Sequence, residues 1–136
     1  MRSLAAVESF YEALMPEIGL PHKRYSFVDG DGEWHEASAD HRYNTVEFYE
    51  EAQPDRATFF MGIIERGDHV PGDTRIAFRV ERSRLLEMEA FLREIGARNV
   101  ERNDDFEAYP AIFFEDPAGT KLEIVARAAR TLELVV

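Results

Sequence analysis

Two stretches of this chain, 77 residues apart, end in the same three residues, Glu17-Ile18-Gly19 and Glu94-Ile95-Gly96. Each closes an amphipathic segment. In the first, Leu4, Val7, Tyr11, Leu14 and Ile18 recur at spacings of 3 and 4, with Phe10 and Met15 widening the stripe. That period is one face of a helix. In the second, Leu85, Met88, Phe91, Leu92 and Ile95 do the same over residues 84–95. Ser3 and Ser83 stand where caps belong, and Gly19 and Gly96 where a helix turns left-handed to stop. Pro16 lies in the last turn of the first helix, so a tight or kinked ending is expected there. A chain with two such helices, each followed by strand-like segments, is an internal repeat of one helix-and-sheet unit.

The strand signals fall between and after the helices. Residues 75–80 precede the second helix. Residues 111–114 and 121–125 flank Asp116-Pro117-Ala118-Gly119, a hairpin turn by composition. Residues 45–49 and 58–64 flank Gln53-Pro54-Asp55-Arg56, a second hairpin. Residues 24–38, broken by Asp29-Gly30-Asp31-Gly32, read as a third hairpin or a flap. The second half is therefore strand, helix, strand, hairpin. The first half begins with its helix, and shifting 75–80 back by the repeat puts the matching strand mostly before Met1. The last six residues, Thr131-Leu132-Glu133-Leu134-Val135-Val136, are β-prone and alternate at their start.

Charge narrows the partners. The chain of 136 residues carries a formal net charge of −11. Residues 1–68 hold 6 basic and 14 acidic side chains, and 69–136 hold 10 and 13. Such a surface repels phosphate backbones and anionic membranes, so neither nucleic acid nor membrane is an expected partner, whereas a cationic small molecule suits it. With no cysteine, disulfides, thiolate nucleophiles and zinc ribbons are excluded. No run of about 18 apolar residues is present and the N-terminus is not signal-like, so the cytoplasm is the expected compartment. Walker, dinucleotide-glycine and nucleophile-elbow motifs are absent, and the Asp29–Gly32 run lacks the later ligands of a calcium loop.

Taken in order, these segments resemble the vicinal oxygen chelate superfamily, which includes glyoxalases, bleomycin-resistance proteins and extradiol dioxygenases. The resemblance rests on residues 9–20, on Arg75-Ile76-Ala77-Phe78-Arg79-Val80, and on the run from Tyr109-Pro110-Ala111 through Phe113-Phe114-Glu115-Asp116-Pro117 to Lys121-Leu122-Glu123-Ile124-Val125. It implies an α+β fold of two βαβββ units whose mixed sheet curls into a cup with the helices outside. The expected layout is a single domain, 1–136. Its first unit, 1–66, lacks the opening strand. The second unit is 74–126, and an extra strand follows at 131–136 that fills the vacant slot or pairs with a second subunit.

In metal-dependent members, the resemblance implies, ligands come from the first and last strands of each unit. Glu123 matches the carboxylate of the last strand. Arg75 stands where a histidine is expected, and Phe59, Phe60, Met61 and Ile63 in the first unit are not hard-metal ligands. One carboxylate does not hold a divalent metal tightly, so no cofactor is expected. A divalent metal on Glu123, with His69 or another histidine, is the alternative. In place of the metal we expect an ion pair between Arg75 and Glu123 on adjacent strands, since the guanidinium fork matches a carboxylate. Candidate ligand-binding residues are Arg75, Glu123, Phe60, Phe78, Tyr109 and His69. The acidic residues Glu47 and Glu107 are further candidates for a cationic ligand. The expected protein is a glyoxalase/bleomycin-resistance/dioxygenase-like homodimer that binds a small molecule without a tightly held metal. A metal-dependent lyase, isomerase or dioxygenase and a dimeric interaction module are the alternatives.

Overall fold

The computed structural model describes residues 3–126. The first unit runs α1 (Leu4–Glu17), β1 (His22–Val28), β2 (Trp34–Glu36), β3 (Thr45–Tyr49) and β4 (Phe60–Ile64). The second runs β5 (Arg75–Arg79), a single 3₁₀ turn (Arg82–Arg84), α2 (Leu85–Glu94), β6 (Arg98–Arg102), β7 (Ala111–Glu115) and β8 (Lys121–Val125). The strands form two four-stranded sheets in the orders β2-β1-β3-β4 and β5-β8-β7-β6. The second is the complete unit: β5 lies parallel to β8, and the other pairs are antiparallel. The first sheet is wholly antiparallel. The architecture is α+β, in two sheets rather than one continuous mixed sheet. Residues 131–136, expected to form an extra strand, lie outside the described residues.

The repeat extends to hydrogen bonds. Leu20 N–H donates to the Met15 carbonyl and Ala97 N–H to the Leu92 carbonyl, both at 2.9 Å. Gly19 N–H donates to the Pro16 carbonyl and Gly96 N–H to the Arg93 carbonyl, both at 3.2 Å. Each glycine has φ near +97°, at +97° and +96°. Such a backbone favours glycine, and these paired bonds satisfy the last carbonyls of each helix. Pro16 is accommodated inside this final turn.

The expected serine caps do not form. Neither Ser3 nor Ser83 makes a side-chain cap bond, and Ser83 falls inside the 3₁₀ turn, so α2 starts at Leu85. Residues 24–38 form a true hairpin. Asp29 Oδ1 accepts from Asp31 N–H at 2.9 Å and Glu33 N–H at 3.0 Å, which fixes the turn and brings Trp34 opposite Val28. This local aspartate turn is the chemistry its composition implies.

One core serves both sheets. Val7, Phe10, Leu14 and Met15 of α1 pack with Val46, Phe48 and Ile63 of the first sheet. The same cluster continues into Leu85, Met88 and Leu92 of α2 and Ile112, Phe114, Leu122 and Ile124 of the second sheet. A polar tie crosses it. The fully buried Asp116, at the β7–β8 turn, accepts the Tyr11 hydroxyl at 2.5 Å on Oδ2. Its Oδ1 accepts Ala118 N–H at 2.8 Å and Thr120 N–H at 3.0 Å. A buried carboxylate is tolerated because each oxygen has donors.

Burial, the Asp116 hydrogen bond and the Asp116 charge all push the Tyr11 phenol above its ordinary value near 10. A raised pKa in the fold adds stability that is complete below the unfolded value and is lost as pH rises above it. We expect stability to fall above about pH 10 by as much as about 1.4 kcal/mol per pH unit from this one group. Urea midpoints of wild type and Tyr11→Phe across about pH 9–11 check this. The variant should show the shallower slope, and equal slopes would contradict the assignment.

Candidate functional site

Strand alternation gives each sheet a face toward the helices and a face away from them. On the second sheet Ile76, Phe78, Leu122, Ile124, Ile112 and Phe114 share one face by register, and the last four belong to the buried core. The other face carries Arg75, Ala77, Glu123 and Phe113. Glu123 is only 6% exposed although its face is free of helices. Its Oε2 accepts the Tyr109 hydroxyl at 2.8 Å, from the loop leading into β7. Phe113 lies beside it on β7, and the Arg75 guanidinium sits 4.5 Å from the centre of the Phe113 ring, a cation–π distance.

Arg75, Glu123 and Tyr109 are thus gathered on one face. The expected ion pair is not formed, however: no salt bridge joins Arg75 to Glu123 among the described residues. Register explains the correction. In the parallel pair β5/β8 Ala77 stands opposite Glu123, and Arg75 stands opposite Lys121. Two residues out of step, Arg75 extends over Phe113 while Tyr109 takes the Glu123 oxygen. Lys121 is engaged elsewhere, donating to Asp73 at 2.9 Å.

Phe78 is a second correction. It pairs with Ile124 and packs against the core, so it faces the helices and not a ligand cup. His69 is not brought to Glu123. It lines a separate hollow of about 260 Å³ with Ser3, Ala6, Val70, Pro71, Ala118 and Thr120. Phe60 lies on the first sheet, on the face away from α1, and is 60% exposed. There it lines a hollow of about 350 Å³ with Arg24, Glu47, Tyr49 and Thr58.

Glu47, a candidate for holding a cationic ligand, lines this hollow on the face away from α1. Its Oε2 accepts the Ser26 hydroxyl at 2.9 Å and Arg24 Nε–H at 3.1 Å. The signal was in the alternation: the buried Val46 and Phe48 flank it, so Glu47 must point the other way. Gly62, on the neighbouring strand, lies under Trp34, whose ring is 3.6 Å from where a Cβ would stand. Glu107 lies elsewhere, 3.5 Å from the exposed Arg82.

The donor set does not fit a metal held by the described residues. Among them no group of three or more histidine, aspartate or glutamate side chains converges. His22 pairs with Glu51, and His35 Nε2 lies 2.7 Å from Asp29 Oδ2, both on the first sheet and its turn. Glu123 has a phenol and a stacked guanidinium for company, neither of which completes a hard-metal site. What the face offers is a buried anion, a hydroxyl, a cation and an aromatic ring.

Two sheets with an outer helix layer, the second a complete βαβββ unit, define the vicinal oxygen chelate fold, and solved structures of that class share it. A fosfomycin resistance protein, FosX from Listeria monocytogenes, solved with manganese(II) and sulfate, is 18% identical, with 94% of this chain and 86% of that chain covered and a TM-score of 0.56. FosX from Mesorhizobium loti is 13% identical, with 100% and 91% covered and a TM-score of 0.55. An integron cassette protein from the mobile metagenome of the Halifax Harbour sewage outfall is 18% identical, with 93% and 91% covered and a TM-score of 0.55. No family model matches the chain, and no curated protein matches it. At these identities the likeness establishes the fold. No helix among the described residues is long and apolar enough to cross a membrane.

Proposed function

We propose that the protein binds a small organic molecule on the face of the second sheet centred on Glu123, without a resident metal, and acts as a homodimer. The observation that carries this is the Glu123 carboxylate, nearly buried on a helix-free sheet face and fixed by Tyr109. A carboxylate held this way is set to receive a donor, because leaving such a group partly desolvated is costly unless something answers it. Arg75 and Phe113 beside it supply a cation and a ring edge or face. The face therefore favours a ligand with an amino or other donor group for Glu123 and an acidic or aromatic part for Arg75 and Phe113. The net charge of −11 favours the cationic end of such a molecule during approach.

The related folds support the class of activity. One FosX structure from Listeria monocytogenes contains manganese(II) and 1S,2S-dihydroxypropylphosphonic acid, a small anionic ligand. Here the cation that would meet an acidic ligand group is Arg75 rather than a metal. Elemental analysis of purified protein tests the metal-free reading: we expect substoichiometric metal, unchanged in Glu123→Ala. Stoichiometric metal that this substitution abolishes would favour the metal-dependent enzyme instead. Amide shifts on adding a panel of aromatic amino acids and aminophosphonates test the location. They should centre on residues 75–79, 109–113 and 121–125, and shifts confined to the Glu47 hollow would move the site to the first sheet.

A further inference from the structure

We propose that the helix-free face of the first sheet holds a second ligand site, an aromatic cage centred on Glu47 that takes a small methylated ammonium ion. The site is independent of the one proposed at Glu123. β2 and β4 are the opposite edges of the sheet, three strand spacings or about 14 Å apart if the sheet were flat. Yet the Trp34 ring on β2 comes within 3.6 Å of the point above Gly62 on β4 where a Cβ would stand. The sheet is therefore curled about this face, and the curl brings its two edges around one hollow.

Gly62 is the direct partner of Glu47 across β3 and β4. Having no side chain, it leaves the space beside the carboxylate to rings. Trp34 and Phe60 both close on that space, at 3.6 and 4.0 Å. Tyr49 lines the hollow with Phe60, and the His22 ring stacks on Tyr49 with centroids 5.2 Å apart. Three aromatic rings thus border one carboxylate. Ring faces carry negative charge density, so they attract an ammonium ion and not an anion.

The carboxylate has an acceptor to spare. Ser26 and Arg24 both donate to Oε2, and no hydrogen bond reaches Oε1 among the described residues. The Arg24 side chain is 67% exposed and that of Glu47 only 13%. An ion pair whose cation stands in water contributes little, so Glu47 keeps its attraction for a second cation. A tertiary methylammonium group meets both features of the hollow. Its N–H donates to Oε1, and its methyl groups lie on the rings. A bare ammonium lacks the carbon coat, and a neutral hydrocarbon lacks the charge.

Trp34 is the only tryptophan of the chain, so its fluorescence reports on the cage directly. The probes are 2-dimethylaminoethanol, choline and 3,3-dimethylbutan-1-ol, the last a neutral near-isostere of choline. In titrations of the full chain at neutral pH, both cations should change Trp34 emission saturably. The neutral alcohol should bind about ten-fold more weakly or worse. Glu47→Gln should weaken both cations by about ten-fold or more and leave the alcohol unaffected. Glu101→Gln, the same change of charge on the exposed β6, should leave all three as they were. Phe60→Ala, at a ring that is 60% exposed, should weaken the cations by about three-fold or more with the fold intact. Amide shifts give an independent readout, and they should centre on residues 24–26, 34, 47–49 and 58–62. No saturable response to either cation, equal binding of cations and alcohol, or full affinity in Glu47→Gln would overturn the proposal. Shifts centred on residues 121–125 would also overturn it while leaving the Glu123 site standing. Shifts at the cage, with no response at residues 109–125 to the amino acid and aminophosphonate panel, would support this site and remove that one.

Discussion

Asp116→Ala is expected to destabilise the protein by about 3–5 kcal/mol, a large fraction of the stability of a domain this size. Asp116 is fully buried and satisfies three donors, the Tyr11 hydroxyl and the Ala118 and Thr120 N–H groups. Alanine leaves all three without an acceptor in the interior, at a cost of about 1–3 kcal/mol for each buried group that water does not reach. It also unties α1 from the β7–β8 turn, a contact between residues 105 apart in sequence. Tyr11→Phe should cost less, because it removes one donor and leaves the carboxylate with two. Urea unfolding of both single variants and the double variant measures the coupling. The double should be less destabilised than the sum of the singles, and simple additivity would contradict the shared tie.

Leu14→Ala is expected to cost about 2–5 kcal/mol through the cavity it leaves. Leu14 is 0% exposed and sits in the cluster that α1 shares with both sheets. Because that cluster is continuous, the loss should lower the midpoint of a single transition for the whole chain. The urea midpoint should fall with the slope unchanged. Two separate transitions, one for each sheet, would show that the core does not couple the units.

Much of the fold is written locally. The two helices were legible because their apolar stripes and terminal glycines are intrinsic signals, and Gly19 and Gly96 adopt the left-handed backbone those signals call for. The Asp29 and Asp116 turns were legible for the same reason. The strand β6 had no located signal: Arg98-Asn99-Val100-Glu101-Arg102 is polar on both faces, with one half-buried valine and a register shift at its centre. Its identity comes from pairing with β7, which a local pattern does not encode.

The site was legible in part. Alternation alone separates the faces of β8, so Glu123 was identifiable as the residue opposite the buried Leu122 and Ile124. Whether Arg75 reaches Glu123 depends on the register of a parallel pair joined across a helix, and sequence periodicity does not fix that offset. A shift of two residues sets Arg75 on Phe113 instead. Phe78 was misplaced because its segment reads apolar on both faces, Ile76-Ala77-Phe78, and only packing decides which side meets the helices.

The proposed small-molecule site on the second sheet depends on Glu123 as its anchor. Calorimetric titration of wild type, Glu123→Gln and Arg75→Ala with the tightest-binding compound of the aromatic amino acid and aminophosphonate panel tests it most directly. A charged hydrogen bond contributes about 1.5–3 kcal/mol, so Glu123→Gln should weaken binding by about 10–150-fold, with Arg75→Ala weakening it less. Equal affinity for wild type and Glu123→Gln, in folded proteins of matching amide spectrum, would rule out Glu123 as the anchor.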